Sequence, residues 1–446
     1  MMERQIDRAT ERLPMTIGRP LTPSLRVAAR RLDVTPDRPV TLGCSPDAGL
    51  QPVDRIAEPL EVNVVAMLPD LEPVVVVALD TLYPSLDLRE AILAANPRLP
   101  SERLVIAASH THQAPMLLSG KPTLGTVDLA YLAHVREALA REVRAVLDRL
   151  DEIAPGGGLG EGRVRVGTAR ASHSINRRLM TRRGMRQAPN PGGPTDETIA
   201  VAVVEDGHGP VAILWNYACH PVGHPDGLAV SAHFPHHVRQ RLRSELGRPE
   251  LPVVYFQGFS GDVRPSCSTR ITSVRGVART LKWGRSFHEI SVRAYQSWAS
   301  SLAELVASTV RSAPEVTIDG VTVRERLVPR DRFVRASSPG PEVRFQFLGL
   351  GASWAVITVG AELVTDYARA ARAMAPEVST LMCVGCTDEA FGYIPTRAML
   401  AEGGYEAEGF CTAFGYDDVR PDVEEVTLGA LSETIDPARY TTAPDR

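Results

Sequence analysis

The feature that most constrains this chain is a series of short apolar runs rich in Val and Ile. "LEVNVVAML", "PVVVVALD" and "RLVIAASHTH" come early, and "TIAVAVVED", "PVAILWNYACH" and "PVVYFQG" occupy the middle. "VTVRERLV", "EVRFQFLGLG" and "SWAVITVG" follow in the last third. Such runs predict buried strands. Between them, "DLAYLAHVREALAREVRAVLDRL", "HHVRQRLRSEL", "ISVRAYQSWASSLAELVASTVR" and "ELVTDYARAARAM" read as helices, the first with Leu, Val and Ala recurring at helical spacing. Strands alternating with helices predict an α/β fold, a mixed β-sheet core with surrounding helices. Residues 1–22 read as a loose tail. The Gly- and Pro-dense stretch 172–196 reads as a loop, and 265–289 as a second polar stretch.

Charge and composition remove several function classes. The chain has 446 residues, with 49 Lys and Arg against 53 Asp and Glu. Its formal net charge of −4 lacks the basic excess of a nucleic-acid binder. The start, "MMERQIDRATERLPM", has no apolar core of a signal peptide, and no apolar run is long enough to span a bilayer. A cytoplasmic protein without a transmembrane segment is expected. The six cysteines are scattered and read as reduced thiols. Cys383 and Cys386 of "CVGC" have no second pair at zinc-ribbon spacing, so they are expected to be two buried thiols.

Chemistry concentrates where strands end, which is where α/β folds place active groups. His110 and His112 of "ASHTHQAP" close one apolar run, His220 closes another in "WNYACHP", and Glu362 follows a third in "VGAE". Side chains two apart on an extended chain point the same way. Imidazoles plus a carboxylate from separate strand ends make a reasonable zinc set. Taken singly, the histidines also fit satisfied loop residues, and Glu362 fits a helix N-terminus.

The motifs "ASHTHQAP", "WNYACHP", "FQGFSGDVRP", "VGAELVTD" and "GCTDEAFGYIPTRAMLAEGGYE" occur in an order and spacing that resembles the catalytic domain of the neutral/alkaline non-lysosomal ceramidases. "LDVTPD" and "GPTDETIAVAVVED" resemble that family too. The resemblance spans roughly residues 25–420. It implies a single catalytic domain over 23–446, without the family's C-terminal immunoglobulin-like domain. It also implies one zinc ion held by His110, His220, Glu362 and Tyr393, with His112 beside the reacting groups and Arg177 of "SINRR" near the scissile amide. The implied activity is hydrolysis of an amide bond in a small N-acylated molecule, a step of lipid metabolism.

These residue types suit that chemistry. Zinc lowers the pKa of a water to roughly 7. A nearby histidine moves a proton to the leaving amine, and a guanidinium stabilises the developing oxyanion. Two other classes share the same residues: a binding protein that has lost catalysis, and a biosynthetic enzyme forming or cyclising an amide or ester. The family carries serine in "GDVSP", and here Arg264 stands in its place. Arg264 is therefore expected to bind substrate. Its counter-charge is either Asp262 or an anionic group such as a carboxylate on the substrate.

Overall fold

The computed structural model describes residues 25–436 except 46, 154–161, 270–273, 275, 276, 279, 281–283, 289, 319, 339 and 390. The expected tail, residues 1–22, lies outside the described residues, as does much of the polar stretch 265–289.

Three larger sheets carry the described fold. The first runs Arg26–Asp33, Glu61–Leu68, Val74–Leu79, Leu104–Ala108, with its last pair parallel. The second runs Val253–Gln257, Gly209–Tyr217, Thr198–Asp206, Arg163–Arg170, Glu315–Val316, with its first pair parallel. The third runs Val321–Val328, Val343–Leu350, Trp354–Val359, Thr380–Val384, again with one parallel pair, the last. The fold is thus the expected α/β architecture of mixed sheets with helices around them.

Period-two alternation explains why the strands are uninterrupted apolar runs. In Val74–Leu79, Val74, Val76 and Ala78 enter a central core shared with Val105, Ala202, Leu214, Phe256, Val356 and Met382 from all three sheets. Val75, Val77 and Leu79 face the other way, toward Leu88 and Ile92 of helix Leu86–Ala95 and Leu139 and Val143 of helix Leu129–Glu152. The second sheet turns Val201, Ile213 and Trp215 onto helices Phe234–Leu246 and Val292–Ser312. The third turns Phe345, Ile357 and Val359 onto Thr365–Met374 and Val423–Ile435. Both faces of each sheet are therefore covered.

Two buried ion pairs fasten the first layer to the second. Arg239 and Arg243 of helix Phe234–Leu246 make fork-shaped bonds to Asp80 (2.5 and 2.9 Å) and Glu61 (2.6 and 2.7 Å).

The stretch 172–196 departs from the expected loop. Ser174–Thr181 and Gly184–Asn190 form an antiparallel hairpin, and Val263–Pro265 pairs with its first strand. Its Gly and Pro mark the ends of strands rather than their absence. Helices Leu86–Ala95 and Val423–Ile435 and strand Thr380–Val384 add to the expected elements.

Candidate metal centre

The parallel strand pairs of the three larger sheets end at one place. Backbone bonds join them there: Gly385 N donates to Gln257 O (2.9 Å), Ala108 N to Cys386 O (3.0 Å), and Cys386 N to Ala361 O (3.1 Å). Gly258 is required by this closeness, since a Cβ would lie 2.7 Å from the backbone of Ala218. His110, His220 and Glu362 each stand a few residues past one of these strand ends.

They meet in a buried cluster. His110 Nε2 lies 3.1 Å from His220 Nε2. Glu362 Oε2 lies 3.2 Å from the first and 3.4 Å from the second. One donor nitrogen from each of His110, His112 and His220 falls within 4.8 Å of the others. All three rings turn Nδ1 toward a backbone carbonyl. Nδ1 of His110 faces Leu82 O (2.8 Å), Nδ1 of His220 faces Ser260 O (3.2 Å), and Nδ1 of His112 faces Cys44 O (3.1 Å). A proton on Nδ1 satisfies each carbonyl and leaves a lone pair on Nε2, the arrangement that orients metal-ligating histidines.

The donor set fits a cation. Glu362 Oε1 accepts from the Tyr83 hydroxyl, while its Oε2 is buried without a hydrogen-bond partner. His112 Nε2 is likewise buried without one. Burial opposes a charge on His110, but Cys386 and Glu362 beside it outweigh this and raise its pKa well above the ordinary value. Burial and then Arg177 hold His220 well below its ordinary value. Burial and His110 push His112 down to about 3. The pocket therefore stabilises one positive charge where the Nε2 atoms converge, and imidazole with carboxylate is a donor set suited to zinc.

Backbone strain gathers here too. His110, Cys44 and Cys386 adopt positive φ angles of 63°, 52° and 55° without being glycine. Strain of this kind persists where surrounding structure over-determines the conformation, commonly at functional sites.

Tyr393 enters from the strand Tyr393–Ile394, which pairs in parallel with Glu362–Leu363 so that Tyr393 lies opposite Glu362. Arg177 Nη2 donates to the Tyr393 hydroxyl (3.1 Å), and Arg177 Nε donates to Glu406 Oε1 (2.8 Å). Arg178 takes the other oxygen of Glu406 (2.8 Å). Glu406 lies in the π-helical turn Tyr405–Gly409, a distortion frequent at functional sites.

The structure thus brings His110, His112, His220 and Glu362 together, with Tyr393 and Arg177 alongside. Arg264 lies on the neighbouring strand Val263–Pro265. Sequence reading missed Tyr83, Cys44, Cys386 and Glu406. Position alone pointed to Tyr83, which follows the strand Val74–Leu79, whereas nothing local singles out the other three.

This arrangement of sheets is similar to that of solved structures, among them two ceramidase structures. One is the neutral ceramidase from Pseudomonas aeruginosa, with a TM-score of 0.73 and 13% sequence identity over 95% of this chain and 76% of that one. This chain has the neutral-ceramidase fold. The second is a ceramidase complexed with C2, with a TM-score of 0.71, 13% identity and the same coverage. No family model and no curated protein sequence matches the chain. The ceramidase fold is carried here by a sequence only 13% identical to those structures. No helix among the described residues is long and apolar enough to cross a membrane.

Proposed function

We propose that this protein is a zinc-dependent hydrolase that cleaves the amide bond of an N-acylated small molecule. The observation that carries this reading is the convergence of the His110 and His220 Nε2 atoms on the unpartnered Glu362 Oε2, at 3.2 and 3.4 Å. His110, His220 and Glu362 would hold the metal, with Tyr393 as a fourth protein ligand. Bound there, zinc supplies Lewis-acid polarisation and a water acidic enough to react at neutral pH. The likeness to ceramidases, whose fold this chain shares, supports an amide substrate.

The chain's own residues take the remaining roles. His112 is held by Cys44 O through Nδ1 and offers an unpartnered Nε2, which suits taking a proton and returning it to the leaving nitrogen. Arg177 is charged and already bonded to Tyr393, so it stabilises negative charge developing on the substrate carbonyl oxygen. Glu406 fixes Arg177 from the far side. Tyr83 orients Glu362.

The test is metal analysis of purified protein together with hydrolysis of a panel of N-acyl amides, before and after chelation and zinc return. Stoichiometric zinc and hydrolysis that chelator abolishes and zinc restores are expected. Stoichiometric zinc without hydrolysis of any panel member favours a binding or biosynthetic role. Hydrolysis that chelator leaves untouched overturns the metal reading.

A further inference from the structure

Five arginines in the described residues are fully buried, and each has a carboxylate. Arg89 pairs with Asp388, Arg177 and Arg178 with Glu406, Arg239 with Asp80, and Arg243 with Glu61. Arg264 is the contrast. It is partly buried, its Nε is fully buried with no acceptor, and no carboxylate among the described residues pairs with it. The Phe287 ring lies over it, with its centroid 4.2 Å from the guanidinium carbon.

The nearby acid does not serve it. Asp262 Oδ1 accepts from Thr365 N (2.8 Å), and Oδ2 accepts from Asn176 Nδ2 (2.9 Å) and Thr365 Oγ1 (3.1 Å). Both oxygens are engaged by Thr365 and Asn176. The first of the two counter-charges expected from sequence is thus committed elsewhere.

Register places the Arg264 side chain on the site's face. Arg264 pairs with Ile175 across the antiparallel ladder. Arg177 is two residues further along that strand, so Arg264, Ile175 and Arg177 project from the same face. Arg264 and Arg177 are then diagonal neighbours, about 7–8 Å apart at the backbone. Gly223, three residues past His220, has φ +83° and brings its backbone against Arg264: a Cβ there would lie 3.3 Å from Nη2. The guanidinium sits between the loop after a candidate ligand and the arginine beside the candidate reaction centre.

An unpaired guanidinium in this position is costly. Burial and the neighbouring Arg177 lower its pKa to about 10, so it stays charged at neutral pH. The Phe287 ring packs against it, and its planar fork is suited to two parallel bonds with a carboxylate.

We infer that Arg264 is a specificity residue that receives a carboxylate on the substrate, so that the preferred substrate is an acidic N-acyl compound such as an N-acyl amino acid. The inference rests on the amide-hydrolase reading, and its test separates the two.

Zinc-loaded wild type, Arg264→Gln and Arg264→Lys are compared on an N-acyl glycine and on the N-acyl methylamide with the same acyl chain. Wild type is expected to prefer the acidic substrate. Arg264→Gln is expected to lower kcat/KM for it by about 10–100-fold, the worth of one charged hydrogen-bonded pair. The neutral amide should change by less than about twofold, and Arg264→Lys should fall between on the acidic substrate. Metal content should be unchanged and Tm not lowered, because the variant removes a charge that no carboxylate among the described residues pairs with. Equal loss on both substrates, or a wild-type preference for the neutral amide, overturns the inference while leaving amide hydrolysis in place. If neither is hydrolysed, calorimetry with the N-acyl glycine decides. Binding that the Gln variant loses upholds the carboxylate site and removes the hydrolase reading. Binding that is equal or absent in both proteins overturns the inference.

Discussion

The Nε2 atoms of His110 and His220 lie 3.1 Å apart while the Nδ1 of each ring faces a backbone carbonyl, of Leu82 and Ser260. Neither ring can turn away without giving up its carbonyl. Two lone pairs are thereby held face to face beside a carboxylate oxygen, and a cation is what complements them. His110→Ala and His220→Ala are each expected to lose stoichiometric zinc and activity together. Elemental analysis after gel filtration checks this, and full occupancy in His220→Ala would sink the assignment.

His112 stands apart in chemistry although its ring lies near the other two. With Nδ1 on Cys44 O and Nε2 unpartnered, it is expected to move protons rather than anchor metal. His112→Ala should retain zinc and lose activity about 10²–10⁴-fold. Metal loss equal to that of His110→Ala would make it a ligand instead, and unchanged turnover would remove its catalytic role.

Glu406 bridges two buried arginines, so its removal leaves both without their main counter-charge. Glu406→Gln is expected to destabilise the fold by about 3–5 kcal/mol. Arg177 loses its hold at the same time, so kcat should fall beyond what the folded fraction explains. Denaturant unfolding and turnover measured on the same samples separate the two. A variant with wild-type stability and kcat would show that Glu406 positions nothing.

Acid sensitivity is expected from Glu61. Burial alone would raise its pKa, but Arg243, Arg239 and Arg31 outweigh burial and lower it from 4.5 to about 2. A carboxylate depressed in the folded state stabilises the fold above its unfolded pKa. That contribution, on the order of 3 kcal/mol, is lost as pH falls from about 4.5 through about 2. Unfolding free energy followed over this range should drop, and Glu61→Gln should be less stable at neutral pH with a flatter acid limb. Parallel pH profiles for the two proteins would show that the Glu61 pairs do not contribute.

Much of this protein is decided locally. The apolar runs specify strands because alternate side chains fall on opposite faces and both faces are buried. The helices follow from apolar spacing. Histidine and carboxylate at strand ends mark candidate site residues before any contact is known. The hairpin over 174–190 escaped this reading because the residues its strand Ser174–Thr181 buries deepest are Asn176, Arg177 and Arg178, satisfied by Asp262 and Glu406 rather than by an apolar core. Hydropathy cannot signal a strand whose buried side chains are polar. The carbonyls that orient the three histidines, the Tyr83 bond to Glu362 and the approach of Cys386 come from segments far apart in the chain. Arg264 makes the division plain. Sequence places an arginine two residues from an aspartate, but only the packed sheets commit Asp262 to Thr365 and Asn176 and leave Arg264 without a counter-charge among the described residues. Which partners remain for a partly buried charge depends on every neighbour at once, and no local pattern encodes that.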